Sequence, residues 1–305
     1  MNRFDALVVG GGFAGLAAAL LLARTRRRVA VLDAGLPRNR FAAHSHGVLA
    51  QDGRSGGAIL ADARTQLAAY PNATLIAGTA QAAAGNDGDF VVTTADGRDV
   101  AARKLLLAVG VSDTLPGLPG LAERWGSSVV HCPYCHGYEI GGGPIAVLAG
   151  SVHAAQHAAL IADWGEVTLL MNGQPEPDGE DRDLLRRRGV RVETAPVASL
   201  AGPGTTLDAI VLQDGRRLAA RALFVATRTH PAGPIAQQLG CAIEETPLGA
   251  ILRTDERRQT SVPGVHAAGD AALARSNITL AAADGVTAGF GLHQSLIADD
   301  IARAA

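Results

Sequence analysis

Two cysteines three positions apart, Cys132 and Cys135, lie in the densest cluster of reactive side chains in the sequence, residues 131–137 (HCPYCHG). Cysteines at this spacing can close a small disulfide, and that arrangement makes one thiol a good nucleophile near neutral pH. A histidine, His136, follows the second cysteine directly and can shuttle a proton to or from a thiol. The pattern predicts thiol–disulfide redox chemistry.

Three other interpretations compete for these cysteines. A zinc ion needs four ligands, and two cysteines and two histidines within residues 131–136 cannot easily surround one ion; a second Cys-x-x-Cys is absent. Cys-x-x-Cys-His also fits covalent c-type haem attachment, a chemistry of exported proteins, whereas no export signal is recognised at the start of this sequence. Two inert buried thiols are the last alternative. Redox activity without a bound metal is the interpretation that the setting favours.

The beginning of the chain has the pattern of a nucleotide-binding strand–turn–helix–strand unit. It consists of a strand at 6–9, a glycine-rich turn at 10–15 (GGGFAG), a helix at 16–23 and a strand at 29–32. Gly10 permits the tight turn, Gly12 lets backbone approach a pyrophosphate, and Gly15 allows close packing of helix on strand. The second strand ends in Asp33, whose carboxylate is placed to accept hydrogen bonds from an adenosine ribose. With all parts in register, this motif strongly indicates a bound dinucleotide.

A second unit of the same kind begins near Pro144, with elements predicted at 145–148, 152–163 and 167–170. Its turn has Ala149 and Ser151 where the pattern requires glycines, and these side chains would crowd a pyrophosphate. After its last strand, residues 171–173 (MNG) offer neither an acid for a ribose nor an arginine for a 2′-phosphate. The unit keeps the form of a nucleotide domain without its binding chemistry, so we consider NADP(H) a doubtful cofactor.

Composition limits the class of protein further. Of the 305 residues 48% are apolar and only 4% aromatic, which predicts aliphatic cores, and residues 74–108 have the pattern of β-structure. The net charge of −2 suggests no nucleic-acid partner, and the arginine runs at 26–28 and 186–188 are expected on solvated helix ends. No apolar run reaches the roughly 20 residues of a membrane span. We therefore expect a cytoplasmic protein that does not bind a membrane.

Near the other end of the chain, residues 260–270 (TSVPGVHAAGD) indicate a strand at 265–268 that delivers Gly269 and Asp270 to a tight turn. The carboxylate of Asp270 would face a polyol. A helix is predicted to begin around Thr279.

Taken in order, the fingerprint 10–15, the segment 106–110 (LLAVG), the Cys-x-x-Cys and the segment 263–270 (PGVHAAGD) resemble the low-molecular-weight thioredoxin reductase family over essentially the whole chain. The resemblance implies an α/β fold with two Rossmann-like, three-layer domains. The FAD domain, 1–112 and 229–305, would be split by an inserted NAD(P)H-type domain, 113–228, that carries the Cys-x-x-Cys. A homodimer is also implied.

The resemblance assigns roles to individual residues as well. The counterpart of Asp270 holds the FAD ribityl chain, and the stretch 276–279 (SNIT) lies by the flavin ring, where a helix N-terminus would favour the anionic reduced flavin. Cys135 would sit against the flavin while Cys132 exchanges with substrate. The expected FAD-binding residues are Gly10, Gly12, Phe13, Ala14, Gly15, Asp33, Arg38, Asn39, Gly110, Gly269, Asp270, Asn277 and Ile278.

Departures from the family pattern narrow the expected activity. The family has an aspartate at the position of His136. Its histidine–arginine–arginine motif, which binds the 2′-phosphate, is replaced here by residues 171–173 (MNG). A subgroup with Cys-Pro-x-Cys-His-Gly includes the dithiol oxidases that close disulfides in gliotoxin and holomycin, and this sequence resembles that subgroup more closely. His44 and His46 fall on a loop expected near the flavin, where one could assist proton transfer. Cys241 is expected to be a buried apolar residue.

Three functions remain open on this basis. The first is an FAD-dependent dithiol oxidase that passes electrons from thiols through flavin to oxygen without NADPH. The second is an NAD(P)H-dependent disulfide reductase, and the third is a non-catalytic flavin redox sensor. The substrate or partner would be a small dithiol or disulfide, or a thioredoxin-like protein.

Overall fold

The computed structural model describes residues 3–275 and 277–304, and the chain divides into two compact units. The first contains the described parts of Met1–Arg40, Ser55–Asp113 and Thr229–Ala305, and the second contains Phe41–Arg54 and Thr114–Arg228. The segment 41–54 was expected with the first unit as part of 1–112, but its contacts place it with the second.

Nineteen strands and seven α-helices are present in the described residues, numbered here in chain order. The helices are α1 Phe13–Arg24, α2 Gly56–Ala68, α3 Pro133–Ile140, α4 Ala154–Ile161, α5 Gly179–Arg187, α6 Ile235–Gln238 and α7 Ile278–Ala304. The strands are β1 Phe4–Val9, β2 Val29–Asp33, β3 Ala73–Ala77, β4 Ala80–Asn86, β5 Asp89–Thr94, β6 Asp99–Leu107, β7 Val111–Thr114, β8 Val129–Val130, β9 Pro144–Leu148, β10 Glu166–Leu170, β11 Arg191–Glu193, β12 Val197–Ala201, β13 Ala209–Leu212, β14 Arg217–Ala219, β15 Ala222–Val225, β16 Arg228–Pro231, β17 Ile243–Thr246, β18 Gly249–Leu252 and β19 Val265–Ala267.

The main sheet of the first unit has the order β3-β2-β1-β6-β5-β4, and β19 also pairs with β6. Strands β1, β2, β3, β6 and β19 run parallel to one another. Leu107, at the end of β6, lies opposite Val9 of β1 and Ala267 of β19. The turns that follow these three strands therefore meet at one edge of the sheet, which is where α/β folds bind nucleotides.

Helices α1 and α7 cover one face of this sheet and share one apolar cluster with it. Their backbones approach closely, because a Cβ added at Gly285 of α7 would lie 2.1 Å from the carbonyl oxygen of Ala14. Although α7 is 27 residues long, no helix within residues 3–275 and 277–304 is long and apolar enough to cross a membrane.

The second unit has a five-stranded parallel sheet in the order β11-β10-β9-β15-β8 and a three-stranded antiparallel sheet, β12-β13-β14. Helices α4 and α5 pack on one face of the parallel sheet through a cluster that includes Ala158, Ile161 and Leu185. The small sheet contributes Ile210 and Leu212 to a separate cluster with β9 and β15. Both units thus have a parallel sheet with helices, and the predicted α/β class is confirmed.

Acid is expected to destabilise the first unit through His266, which lies in β19 and is only 1% exposed. Burial, together with the charge of Lys104, lowers the pKa of this imidazole to about 4. The unfolded chain binds a proton at His266 near pH 6.5, whereas the folded chain does not until about pH 4. The contribution of His266 to the free energy of unfolding should therefore be complete above pH 6.5 and be lost as the pH decreases towards 4.

Urea titrations at pH 7.5 and 4.5 measure this effect. Between these two pH values the wild-type protein should lose about 2–3 kcal/mol more stability than a His266→Gln variant. Each unit of difference between the pKa of His266 in the folded and in the unfolded chain corresponds to about 1.4 kcal/mol. His230→Gln, at an exposed histidine, is the matched control and should behave as wild type. Equal acid sensitivity of wild type and His266→Gln would contradict the assignment.

Candidate active site

The glycine-rich turn after β1 leaves an open space at one of its three glycines. A Cβ added at Gly10, whose φ is +104°, would lie 2.2 Å from the carbonyl oxygen of Ala108, and one at Gly15 would lie 1.9 Å from that of Gly10. At Gly12 a Cβ would meet no atom of the described residues, 3–275 and 277–304, within 4 Å, and no side chain among them caps the start of α1 there. Gly10 and Gly15 are therefore needed for the fold, while Gly12 borders free space beside a helix N-terminus that suits a pyrophosphate.

Leucine substitutions at these positions should separate ligand binding from folding. Gly12 has φ −79° and ψ −168°, a conformation that any residue adopts, so Gly12→Leu should fold but lose flavin at least about tenfold by filling the pyrophosphate space. Gly15→Leu should fail to give folded protein, because its side chain would overlap backbone. Flavin content and circular dichroism of the purified variants measure both effects, and full flavin occupancy in Gly12→Leu would contradict the assignment.

Asp33 lies at the end of β2, as the sequence predicts, and its carboxylate is bound to the glycine-rich turn. Its Oδ1 accepts a hydrogen bond from the backbone N–H of Gly11 at 3.0 Å, and its Oδ2 lies 2.9 Å from an Arg64 guanidinium nitrogen. Arg64, on α2, was not predicted as a site residue, since nothing in its local sequence distinguishes it from other surface arginines. This pair of contacts holds the acid beside the turn that would bind a dinucleotide.

Arg38 and Asp270 are brought together in the first unit. The Arg38 guanidinium makes a two-point contact with Asp113, at 2.8 and 2.5 Å, and lies 3.8 Å from Asp270. Arg38 and Asn39 form part of a short 3-10 helix, and both are half-buried. The expected contact of Arg38 with the FAD phosphates or adenine stays a prediction.

A buried acid that the sequence analysis missed, Asp284 of α7, supports the turn before Asp270. Its Oδ2 accepts a hydrogen bond from the backbone N–H of Gly269 at 2.9 Å, and its Oδ1 lies 2.6 Å from Nε of Arg258. Burial raises the pKa of this carboxyl, and the contacts with Gly269 and Arg258 oppose that rise. A charged residue on the buried face of α7 was the signal that could have revealed it.

The remaining predicted flavin-site residues lie in the same unit. Asn277 caps α7, since its side-chain oxygen accepts a hydrogen bond from the backbone N–H of Leu280 at 2.7 Å. Ile278 is the first residue of that helix, and Ser276, which belongs to the same predicted stretch, lies outside the described residues. Gly110 follows β6 with φ +68°. Phe13 and Ala14 begin α1.

Cys132 and Cys135 are joined as a disulfide, with their Cα atoms 5.3 Å apart. Cys132 is the N-cap of α3 and Pro133 its first residue, an arrangement in which the helix begins sharply. Because the N-terminus of a helix stabilises negative charge, this position favours the thiolate form of Cys132 after reduction. Both cysteines are partly exposed. The pair is therefore accessible and suited to thiol exchange.

His136 follows the disulfide on α3 and is half-buried. Burial lowers the pKa of its imidazole below the ordinary value; the charge of Glu139 opposes this effect and that of His46 adds to it. A histidine that is neutral near pH 7 can accept a proton from a thiol. The structure thus gives the predicted acid–base residue a suitable environment.

The turn of the second unit has side chains at the two positions where the pattern requires glycines, Ala149 and Ser151. Ala149 is buried, and the Ser151 hydroxyl accepts a hydrogen bond from the backbone N–H of His153 at 3.3 Å. Helix α4 begins only at Ala154, two residues later than predicted. The turn therefore has two Cβ atoms at the positions that correspond to Gly10 and Gly12 of the first unit.

Residues 171–173, which follow β10, include no lysine or arginine that could bind a 2′-phosphate. The side-chain oxygen of Asn172 accepts a hydrogen bond from the backbone N–H of Val197 at 2.9 Å. Within the arginine run 186–188, Arg188 donates to the carbonyl oxygen of Ala159 and pairs with Asp163. The weak binding of NADP(H) expected from the sequence stays a prediction.

Cys241 is buried in the first unit and its thiol donates to the Thr260 hydroxyl at 3.7 Å. Burial raises the pKa of this thiol, which makes it a poor nucleophile. Over residues 3–275 and 277–304 no group of three or more histidine, cysteine, aspartate or glutamate side chains is arranged to hold a metal ion.

Comparison with known proteins gives one family for nearly the whole chain. Residues 4–285 match the family described as pyridine nucleotide-disulphide oxidoreductase. A thioredoxin reductase, sirT, of Leptosphaeria maculans is 36% identical over 318 residues, covering 98% of this chain and 97% of its own.

Two crystal structures have closely similar folds. An oxidoreductase from Agrobacterium tumefaciens superposes with a TM-score of 0.92 at 45% identity, covering 97% of this chain and 99% of its own. The protein HlmI superposes with a TM-score of 0.91 at 37% identity, covering 99% and 95%. These similarities agree with the family inferred from the sequence motifs.

Proposed function

Because this chain belongs to the pyridine nucleotide-disulphide oxidoreductase family, we propose that it is an FAD-dependent dithiol oxidase. Its relatives establish the broader class, a flavin-dependent disulfide oxidoreductase of thioredoxin reductase-like type. The proposal adds that small dithiols are the electron donors, that FAD is the flavin and that oxygen is the final acceptor.

The first unit has residues that fit FAD. The open space at Gly12, the bound carboxylate of Asp33 and the turn at Gly269 and Asp270 follow parallel strands of one sheet. Asn277 and the N-terminus of α7 would favour negative charge on a group bound beside them. When bound, the flavin supplies a two-electron acceptor.

The second unit has the residues for the thiol half of the reaction. A substrate thiolate attacks Sγ of Cys132, the bond to Cys135 breaks, and Cys135 leaves as a thiolate. The second substrate thiol then closes the substrate disulfide and expels Cys132. The substrate loses two electrons and two protons. The electrons reduce the enzyme disulfide to one thiol and one thiolate, so that one proton is on a cysteine and His136 holds the other.

One observation supports the choice of an oxidase: in place of glycines the second nucleotide turn has a buried Ala149 and a Ser151 whose hydroxyl is hydrogen-bonded within its own turn. A protein that takes its electrons from NADPH needs that turn open. With the disulfide present and the nucleotide grip lost, thiols are the electron source that the chain can accept.

An oxygen electrode tests the proposal. Purified protein with dithiothreitol and no nicotinamide nucleotide should consume one O₂ and form one H₂O₂ for each dithiol oxidised. Omission of the protein is the control for spontaneous oxidation. A rate no higher than this control with several dithiols would count against the oxidase.

A reductase that uses NAD(P)H is the second candidate. Two observations favour it: the family is described by its pyridine nucleotide, and sirT is named a thioredoxin reductase. In that case NADPH would drive reduction of a disulfide or a thioredoxin-like protein through the same cysteines. NADPH oxidation that depends on a disulfide substrate would support this candidate over the oxidase.

The assembly and the location are also proposals. A homodimer is implied by the family resemblance, and exposed apolar side chains on α7, Phe290, Ile297 and Ile301, support it. Sedimentation of the purified protein tests the dimer. A cytoplasmic location agrees with a dithiol/disulfide pair that serves chemistry rather than structure.

A further inference from the structure

The second unit has a cluster of titratable groups on and beside α3, the helix that begins at the Cys132–Cys135 disulfide. Of these groups, the proposed mechanism uses only His136. The cluster is built from α3 and from the segment 41–54, both in that unit. Its charged or titratable members are His136 and Glu139 on α3, and His44, His46 and Asp52 on the segment.

The segment 41–54 has a defined conformation of its own. The backbone N–H of Ser45 donates to the carbonyl oxygen of Arg54 at 2.8 Å, and that of Gly47 to the Asp52 carboxylate at 2.7 Å. The His44 ring nitrogen Nδ1 lies 3.0 Å from the carbonyl oxygen of Gly53. These contacts fix the position of His46, which lies between them.

Contacts through His46 connect this segment to α3. Its Nε2 lies 3.4 Å from Oε1 of Glu139, and its Nδ1 lies 3.6 Å from Oδ2 of Asp52. The His46 side chain is 26% exposed, against 44% for Glu139 and 68% for Asp52. Of the two carboxylates near His46, that of Glu139 is therefore the more buried, and that of Asp52 is the more exposed to solvent.

The orientation of α3 places Glu139 near His136. A Cβ added at Gly137 would lie 2.6 Å from the Trp164 ring, so that ring covers one face of the helix. His136 and Glu139 are three positions apart, a spacing that brings two side chains together on a helix surface. The charged groups that act on His136 are Glu139, which opposes the effect of burial, and His46, which adds to it.

We propose that Glu139 is a positioning residue for the dithiol chemistry, whose carboxylate, held by His46, is the counter-charge for the protonated ring of the half-buried His136. This role rests on the proposed function, in which His136 accepts a proton from the substrate thiol. Glu139 itself does not touch the reacting sulfur atoms. Without its charge, burial alone would make His136 a weaker base.

The direct test is an NMR titration of the His136 ring in flavin-loaded, isotopically labelled protein. The chain has nine histidines, and the resonance missing from a His136→Gln variant identifies this one. Glu139→Gln should lower the midpoint of His136 by about half to one pH unit, because a nearby carboxylate favours the protonated ring. Asp52→Asn is the matched control: it removes one carboxylate from the same cluster away from α3, and should leave the midpoint unchanged.

The second readout is the pH dependence of kcat/KM with dithiothreitol. In Glu139→Gln the acid limb should move to lower pH by the same amount as the NMR midpoint, and in Asp52→Asn it should not move. An unshifted midpoint in Glu139→Gln, an equal shift in Asp52→Asn, or a shifted midpoint with an unmoved acid limb would each overturn the proposal. If wild-type protein does not oxidise dithiols, the proposed function fails, while the titration still decides whether Glu139 acts on His136.

Discussion

Replacement of either Cys132 or Cys135 by serine is expected to reduce dithiol turnover at least about 10³-fold, to the level of spontaneous oxidation. Each cysteine performs a step that the other cannot. In the proposed cycle the substrate attacks Cys132, and Cys135 leaves and later restores the disulfide. A serine hydroxyl forms no such bond, so either substitution alone stops the cycle.

The third cysteine provides the matched control. Cys241 is buried and bonded to Thr260, so Cys241→Ala removes one thiol without touching the proposed chemistry. This variant should keep wild-type turnover, measured as oxygen consumption with dithiothreitol. Substantial turnover by Cys132→Ser or Cys135→Ser would contradict a cycle that depends on the disulfide.

The order of the two thiols can be tested with the same variants. Cys135→Ser retains Cys132 at the N-cap of α3, where the helix favours its thiolate. This variant should therefore react with an aromatic disulfide reagent faster than Cys132→Ser does, as followed by release of the coloured thiol. Faster reaction of Cys132→Ser would reverse the assignment of the exchanging cysteine.

NADPH should bind this protein roughly 10²–10⁴-fold more weakly than it binds a protein of this fold that has both the glycine-rich turn and the arginines for the 2′-phosphate. Each lost charge-assisted hydrogen bond costs about 1.5–3 kcal/mol, and tenfold in affinity corresponds to about 1.4 kcal/mol. At 171–173 the chain has no arginine, and Ala149 and Ser151 add Cβ atoms at the two positions where the pyrophosphate-binding pattern has glycines. Arg188, which could have compensated, is already bound to Ala159 and Asp163.

Calorimetric titration of the flavin-loaded protein measures this affinity. NADPH and NADH should bind equally weakly, because no cation is present at 171–173 to distinguish the 2′-phosphate. Ser151→Gly should improve affinity by no more than about tenfold, since it relieves crowding without adding charge. Micromolar binding of NADPH, with a clear preference over NADH, would show that other residues form the grip.

Much of the first unit could be predicted from sequence because its signals are local. The alternation of apolar strand, glycine turn and apolar helix predicted β1, α1 and β2, and the turn contacts of Gly10 and Gly15 agree with the roles expected of those glycines. Asp33 was found because an acid at the end of β2 is part of the same pattern. Each of these residues is identified by its neighbours in the chain.

The parts that were missed depend on contacts between distant residues. Arg64 and Asp284 act on Asp33 and Gly269 from helices 31 and 15 positions away. The segment 41–54 lies between elements of the first unit, yet its contacts are with the second. No local sequence pattern predicts contacts between residues so far apart in the chain.

Anaerobic mixing, followed at the flavin absorbance, tests the central claim most directly. A small dithiol such as dithiothreitol should bleach the yellow protein rapidly, and admission of oxygen should restore the colour. NADPH at micromolar concentration should leave the flavin oxidised over the same time. Rapid bleaching by micromolar NADPH, with little or none by the dithiol, would contradict the dithiol oxidase and favour the reductase.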